Sequence, residues 1–173
     1  DLMSGRKKLV PYEMVHLDFR DPLPSGHGCF IPSSNGLAPG NHILEALVHG
    51  LCEVIETDAL ESWDQESGKL DLQTVSDPDC QDLIAQFHVA HVKLGVWDIT
   101  GANGVPAFLC RIVSAIPADI SGLRPASGMG CHLSKTIALR RALTEAAQSR
   151  LTFISGARDD LDRETYAHCL SGD

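Results

Sequence analysis

Two long amphipathic helical patterns place the strongest constraint on the fold of this chain. From residue 41 to about residue 60, apolar side chains return at helical spacing, and Asn41 is suited to be the N-cap. The second pattern runs from residue 134 to about residue 154 and is followed by Gly156, which is typical of a helix end. Because an amphipathic helix buries its apolar side, both helices are expected to pack on another layer.

The two helical patterns also share a motif. Residues 46–56 and 138–148 both read A-L-x-x-x-L-x-E-x-x-[EQ], which aligns Glu53 with Glu145. Alanine, leucine and glutamate are common helix formers, so five matching positions can arise by chance. The alternative is a pair of related helices arranged about a pseudo-twofold axis.

The segment between the helices contains strand signals. Three stretches read as strands: residues 70–76, 94–100 and 106–115. The last two are joined across a G-A-N-G turn, and residues 78–92 read as a helix. We expect residues 122–132 to be irregular because they are rich in glycine. The combination predicts one α+β domain over residues 1–173, in which long packed helices cover a mixed sheet.

Charge and composition exclude several classes of protein. The chain has 173 residues, of which 43% are hydrophobic, so it can bury a sizeable core. Its 23 acidic residues against 14 Lys and Arg give a net charge of -9, which argues against a nucleic-acid partner or an anionic membrane surface. No stretch has the roughly 18 consecutive apolar residues of a membrane span. The six cysteines have no close-paired spacing, which indicates free thiols and a cytoplasmic location.

Each long helix has a polar and an apolar side when it is drawn at about 100° per residue. The polar side of the first helix holds Glu45, His49, Cys52, Glu53 and Glu56. Its opposite side, expected to face the core, holds Ile43, Leu47, Leu51 and Val54. The polar side of the second helix holds Arg141, Thr144, Glu145, Gln148 and Thr152. Its apolar side holds Leu139, Leu143, Ala146, Ala147 and Ile154.

A polar side of this kind is most often a solvated face, but the segment before the first helix favours a binding site. The Pro-, Gly- and Ser-rich loop of residues 22–40 brings flexible backbone to a helix N-terminus, whose N–H groups and dipole favour anions. Magnesium prefers hard oxygen ligands and bridges carboxylates to phosphates, and Arg141 is suited to neutralise a phosphate. The two polar sides are therefore predicted to line a shared site for a nucleotide phosphate chain and its magnesium ion.

Four stretches of the sequence resemble the YcaO family. They are GLAPGN at residues 36–41, EALVHGLCEVIE at 45–56, ALTEAAQSRL at 142–151 and ISGARDD at 154–160. The resemblance implies an ATP and Mg2+ site whose nucleotide contacts are Asn41, Glu45, Glu53, Glu56, Arg141, Glu145 and Gln148. Among these it implies metal ligation by Glu45, Glu53, Glu56 and Glu145.

The resemblance also implies a chemistry and partners. In YcaO enzymes ATP phosphorylates the oxygen of a peptide amide, so that a Cys, Ser or Thr side chain or an external sulfide adds at the amide carbon and phosphate leaves. The products are azoline heterocycles or thioamides in ribosomally made peptides. The implied partners are a peptide or protein substrate, a leader-peptide-binding or TfuA-like protein and a second copy of the chain, with neither nucleic acid nor membrane.

Two departures from the family pattern keep an alternative open. The family motif continues Glu-x-x-Glu-Arg, whereas Glu56 is followed here by Thr57, which cannot replace a guanidinium. The family's upstream nucleotide motif and Pro-rich C-terminal tail are not among these residues. We therefore expect the central part of a YcaO domain, inactive by itself. The alternative is a non-catalytic YcaO-like scaffold or accessory protein that binds a peptide or a partner enzyme.

Overall fold

The computed structural model describes residues 1–18, 22, 25, 28–30, 33–115 and 125–157. The chain divides into two compact units, Asp1–Val54 and Ile55–Asp173. Helix α1 (Ile43–Ser62) contributes residues to both units. The second unit continues with helix α2 (Pro78–Val89), strands β1 (Val92–Asp98), β2 (Ala107–Ser114) and β3 (Ala126–Cys131), and helix α3 (Lys135–Ile154).

The described residues of the first unit form loops, a short 3-10 turn at Tyr12–Met14 and the first part of α1. The helix begins at Ile43, so the residue in front of it is His42 and not the predicted cap, Asn41. The N–H of Leu44 donates to Nδ1 of His42 over 3.2 Å, which is the contact of an N-cap side chain. The imidazole therefore takes the capping role that we predicted for the amide of Asn41.

Helix α1 does not face the core as its pattern predicted. Three side chains of the expected core-facing side are exposed, Ile43 by 65%, Leu51 by 59% and Val54 by 47%. On the predicted polar side Cys52 is buried, and Glu53 is half-buried. The prediction was wrong because this side carries carboxylates that accept N–H groups of the preceding loop, so the loop packs on it.

The second unit contains a three-stranded sheet in the order β1-β2-β3, with both pairs antiparallel. Val96 of β1 lies opposite Cys110 of β2, which lies opposite Gly128 of β3. The predicted hairpin of β1 and β2 and the α+β class are confirmed. We predicted a mixed sheet, whereas among the described strands every pairing is antiparallel.

One face of this sheet packs against α2 and α3 and forms the core of the second unit. The buried side chains come from strands and helices alike: Val96, Phe108, Cys110, Ile112, Cys80, Ile84, Ala138, Ala142, Leu143 and Ala146. Alanines at helical spacing on α3 let this helix approach the sheet closely. Apolar burial of this kind is the main source of stability for such a unit.

The segment of residues 70–76 was predicted to be a strand, and this was wrong. It contains a 3-10 turn at Leu72–Thr74, because the carboxylate of Asp71 accepts the N–H of Gln73 and so favours a turn. Strand pairing is limited to an isolated bridge between Lys69 and Trp97. This short contact covers part of the outer edge of β1.

The prediction of irregular structure for residues 122–132 was also wrong where the structure describes this segment, since Ala126–Cys131 forms β3. A Cβ added at Gly128 would collide with the backbone N of Ala146, and one at Gly130 with the backbone O of Ala138. The glycines therefore serve close approach between strand and helix, which is a recognised use of glycine inside a strand.

Helix α3 agrees with its sequence pattern over most of its length. Ser134 stands at its N-cap, and Gly156 follows its end with a φ of 64°. Leu139, Leu143 and Ala146 are buried as predicted. Two members of the predicted apolar side, Ala147 and Ile154, are exposed. Both copies of the repeated motif lie in helices, and the pseudo-twofold arrangement of these helices stays a prediction.

In the part of the chain that the structure describes, no helix is both long enough and apolar enough to span a membrane.

Candidate nucleotide-binding residues

The predicted site residues of the first unit lie where the loop of residues 33–41 meets α1. The backbone N–H of Asn41 donates to Glu45 over 2.8 Å, and that of Gly36 donates to Glu53 over 3.2 Å. Hydrogen bonds to a charged acceptor are stronger than those between neutral groups. These two carboxylates therefore fix the loop to the part of the helix between Glu45 and Glu53.

His49 completes this arrangement from the next turn of the helix. Its Nε2 lies 3.7 Å from a carboxylate oxygen of Glu53, and its Nδ1 lies 3.4 Å from the carbonyl oxygen of Pro39. A Cβ added at Gly50 would lie 2.7 Å from the carbonyl oxygen of Gly36. The loop and the helix are thus in close backbone contact, which only a glycine at position 50 permits.

The other predicted site residues lie in the second unit. Arg141 is half-buried on α3, and its Nη1 donates to the carbonyl oxygen of Cys131 over 3.4 Å. Glu145 and Gln148 are exposed on the same helix, and Glu56 is half-buried on the last part of α1. The side chains of Arg141, Glu145 and Gln148 thus share one side of α3, as their spacing predicted.

The structure brings together Asn41 and Glu45 through a direct hydrogen bond. Glu53 contacts the same loop, whereas Glu56, Arg141, Glu145 and Gln148 belong to the second unit. Among the described residues, no group of three or more His, Cys, Asp or Glu side chains is placed to hold a metal ion. The metal ligands Glu45, Glu53, Glu56 and Glu145 therefore stay a prediction. Residues 158–160, the last part of the resembling ISGARDD stretch, lie outside the described residues.

The comparison with protein families decides the identity of this fold. Residues 1–171 match the family model described as YcaO cyclodehydratase, ATP- and Mg2+-binding. The chain belongs to the YcaO family. The resemblance of the four sequence stretches is thereby confirmed, and ATP and Mg2+ are confirmed as the cofactors of the family.

Relatives of this YcaO chain are longer than the chain itself. An uncharacterized protein in the tfuA 3' region of Rhizobium leguminosarum bv. trifolii is 39% identical over 96% of the chain, which spans 41% of that relative. An uncharacterized protein of Methanothermobacter thermautotrophicus is 37% identical over 96% of the chain, which spans 43% of it. The chain thus spans about two fifths of the length of these relatives.

Solved structures share the YcaO fold of the chain. A heterocyclase in complex with substrate and cofactor has a TM-score of 0.69 and 30% identity over 88% of the chain, which spans 20% of the solved chain. YcaO from Methanopyrus kandleri, bound with AMPPCP and Mg2+, has a TM-score of 0.62. It is 20% identical over 84% of the chain, which spans 39% of it, so the likeness is one of fold alone.

The donor chemistry of the YcaO residues fits a magnesium nucleotide. A carboxylate offers about four acceptor sites, so the single N–H that Asn41 gives to Glu45 leaves room for a metal on that side chain. Glu45 is exposed beside the helix N-terminus. Carboxylate oxygens are the ligands that Mg2+ prefers, and Arg141 supplies a guanidinium suited to phosphate oxygens.

The sequence reasoning missed one buried carboxylate of the first unit. Glu13 is one of two buried polar or charged side chains among the described residues, and its carboxylate accepts N–H groups from the loop at residues 28–30. The sequence around it, PYEMV, has neither a helical period nor a known motif that would mark a functional acid. Only its contact with a segment 15 residues away distinguishes Glu13.

Proposed function

We propose that this chain forms the ATP and Mg2+ site of an enzyme that phosphorylates peptide backbone amides, giving azoline heterocycles or thioamides. The match of residues 1–171 to the YcaO cyclodehydratase family carries this proposal. Further support comes from the 30% identity to a heterocyclase whose structure contains substrate and cofactor. The carboxylates at the start of α1 agree with it chemically.

In this proposal, bound Mg·ATP supplies the γ-phosphoryl group that the amide oxygen receives. Asn41, Glu45, Glu53, Glu56, Arg141, Glu145 and Gln148 hold the nucleotide. The metal ligands among them are Glu45, Glu53, Glu56 and Glu145. Fixing the loop to α1 limits the motion of Asn41, Glu45 and Glu53, which reduces the entropy lost when the nucleotide is aligned. The guanidinium of Arg141 offsets phosphate charge in a protein with a net charge of -9.

Isothermal titration with Mg·ATP tests the binding site. We expect Glu53→Ala and Glu145→Ala each to abolish measurable binding while the protein stays folded. Glu145 is exposed, so its removal leaves the core intact. The matched control is Glu61→Ala, which removes an exposed acid near the end of α1 and should leave the affinity unchanged. Unchanged affinity in both test variants would show that the polar sides are only solvated.

Mass spectrometry of a peptide incubated with the protein and Mg·ATP tests the reaction. An azoline product has lost one water, whereas a thioamide has exchanged oxygen for sulfur.

For partners, we propose a peptide or protein substrate, a leader-peptide-binding or TfuA-like protein and a homodimer. The relative from a tfuA 3' region supports the TfuA-like partner. We also propose a cytoplasmic location, supported by five cysteines of the described chain, none of which forms a disulfide.

A second candidate function is a non-catalytic scaffold that binds a peptide or a partner enzyme. It is favoured by Thr57, a half-buried residue without charge at the position where the family has arginine. We expect Mg·ATP titration of the variant Thr57→Arg to help distinguish the two functions. If the chain is an enzyme that binds Mg·ATP, the variant should bind Mg·ATP equally well or more tightly, because the guanidinium adds a positive charge. A protein that binds peptide in the same way with and without Mg·ATP, and never consumes ATP, would support the scaffold.

A further inference from the structure

We propose that Glu13 is a positioning residue that holds residues 28–30, the segment upstream of the loop of residues 33–41 that leads to α1. Its side chain is 7% exposed, although a charged group is rarely buried without partners. The carboxylate accepts N–H groups from three successive residues: Gly28, Cys29 at 3.3 Å and Phe30 at 3.2 Å. These charge-assisted hydrogen bonds replace the water that burial removes from the carboxylate.

The backbone at residues 28–30 has the form of a small anion-binding concavity. Three successive N–H groups converge on one carboxylate there. Gly28, the first of them, has a φ of 118°, a conformation that L side chains rarely adopt. The anion in this concavity is a side chain of the same unit, so the contact between Glu13 and Gly28 closes a loop of the chain.

The loop of residues 33–41, further along the chain, is also held by carboxylates. Glu53 accepts the N–H of Gly36, and Glu45 accepts that of Asn41. Glu13 therefore fixes residues 28–30, and α1 fixes the loop that follows them in sequence. The link from Glu13 to nucleotide affinity rests on the proposed function, whereas the link to loop order does not.

Amide hydrogen exchange tests the role of Glu13 without a ligand. In Glu13→Gln the new amide group turns N–H donors toward the N–H donors of the loop, so we expect exchange at residues 28–30 to accelerate at least about tenfold. Exchange at the β2 amides of the second unit should stay unchanged and serves as the internal reference. Glu13→Asp keeps the charge and should restore part of the protection. Glu61→Gln, which alters an exposed acid, is the matched control.

A second variant alters Gly28, the other partner of the same contact. Gly28→Ala should strain the backbone at φ 118° and accelerate the same amides. Because both changes break one contact, the double variant with Glu13→Gln should be less affected than the sum of the single variants. Additive effects would overturn the assignment, as would equal acceleration at β2, which indicates loss of global stability.

Titration with Mg·ATP then tests the functional part. Glu13→Gln should weaken Mg·ATP binding about tenfold, and Glu13→Asp should recover part of the affinity. If exchange at residues 28–30 rises while the affinity stays the same, Glu13 does not position the nucleotide loop. If the unaltered protein does not bind Mg·ATP, the proposed function fails, and the exchange experiment still decides whether Glu13 orders the loop.

Discussion

At the scale of single residues, burial separates the thiols that can react from those that cannot. Cys29 is exposed, whereas Cys80 and Cys110 are fully buried in the core of the second unit. Burial raises the pKa of the Cys80 thiol from 9.0 to about 11 and that of Cys110 to about 12. The reactive species is the thiolate, so both buried residues behave as small apolar side chains at neutral pH.

We expect Cys29 to be the first of the five described cysteines to react with iodoacetamide at pH 8. A pKa of about 11 leaves roughly one thiolate in a thousand at this pH, and burial also blocks the reagent at Cys80 and Cys110. Peptide mapping after timed labelling measures the order. Labelling in urea is the control, because all cysteines should then react at similar rates. Early native labelling of Cys110 would contradict the burial that we describe.

The raised thiol pKa values also predict a dependence of stability on pH. Above pH 9.0 the unfolded chain releases thiol protons that the folded chain retains, so the free energy of unfolding falls as the pH rises toward the folded values of about 11 and 12. Urea denaturation between pH 8 and pH 10.5 measures this slope. Cys110→Ala should make it shallower by up to about 1.4 kcal/mol per pH unit. A slope in Cys110→Ala equal to that of the unaltered protein would refute the prediction.

At the scale of elements, the packing of β3 on α3 depends on two glycines. A Cβ at Gly128 would lie 2.6 Å from the carbonyl oxygen of Ala142, and one at Gly130 would lie 2.6 Å from the backbone N of the same residue. The backbone of α3 cannot move away from β3 without separating Ala138 and Ala146 from the sheet, because both residues are fully buried. The distance between strand and helix is thus set by residues that lack side-chain bulk.

We therefore expect Gly128→Ala and Gly130→Ala each to lower the free energy of unfolding by roughly 1 to 3 kcal/mol, as overpacking does in other cores. Gly101→Ala is the control, because its Cβ would meet only the side-chain nitrogen of Asn103, at 3.9 Å. Urea denaturation monitored by tryptophan fluorescence measures the three variants. A midpoint for Gly128→Ala equal to that of Gly101→Ala would show that the helix can retreat at no cost.

At the scale of the whole molecule, most exposed large hydrophobic side chains of the described residues lie in residues 1–54. On α1 they form a continuous stripe that includes Leu44, exposed by 62%, and Leu51, exposed by 59%. These two positions are two helical turns apart on one side of the helix. Contiguous apolar surface of this kind is uncommon on a monomeric protein and favours association.

We expect the chain to bind an apolar dye such as anilinonaphthalene sulfonate and to self-associate at high concentration. The double variant Leu44→Lys with Leu51→Lys should reduce both, because it places two charges on the stripe. Val89→Lys is the control, since Val89 is 81% exposed and belongs to α2, not to the stripe. Dye fluorescence and sedimentation velocity measure the effects. Equal behaviour of the double variant and the control would show that the stripe does not mediate association.

Much of the architecture follows from local sequence signals. The long helices, the hairpin of β1 and β2 and the glycine that ends α3 were all predicted, because helical period, turn residues and caps act over a few neighbouring residues. The family was also predicted, since its motifs are long and ordered. On α3 the predicted polar side carries Arg141 and Glu145 as expected, because the small residues on its other side face the sheet.

Only the tertiary structure decided which side of α1 packs on its neighbours. The helical period predicts which side of the helix is polar. It does not predict that a loop whose N–H groups need acceptors will pack against the polar side. The same holds for Glu13, whose partners at residues 28–30 are distant in sequence. It also holds for β3, whose glycines predict irregular structure from sequence alone but allow the close approach of a helix in the fold. In each case hydrogen bonds or close contacts between distant segments outweighed the local preference.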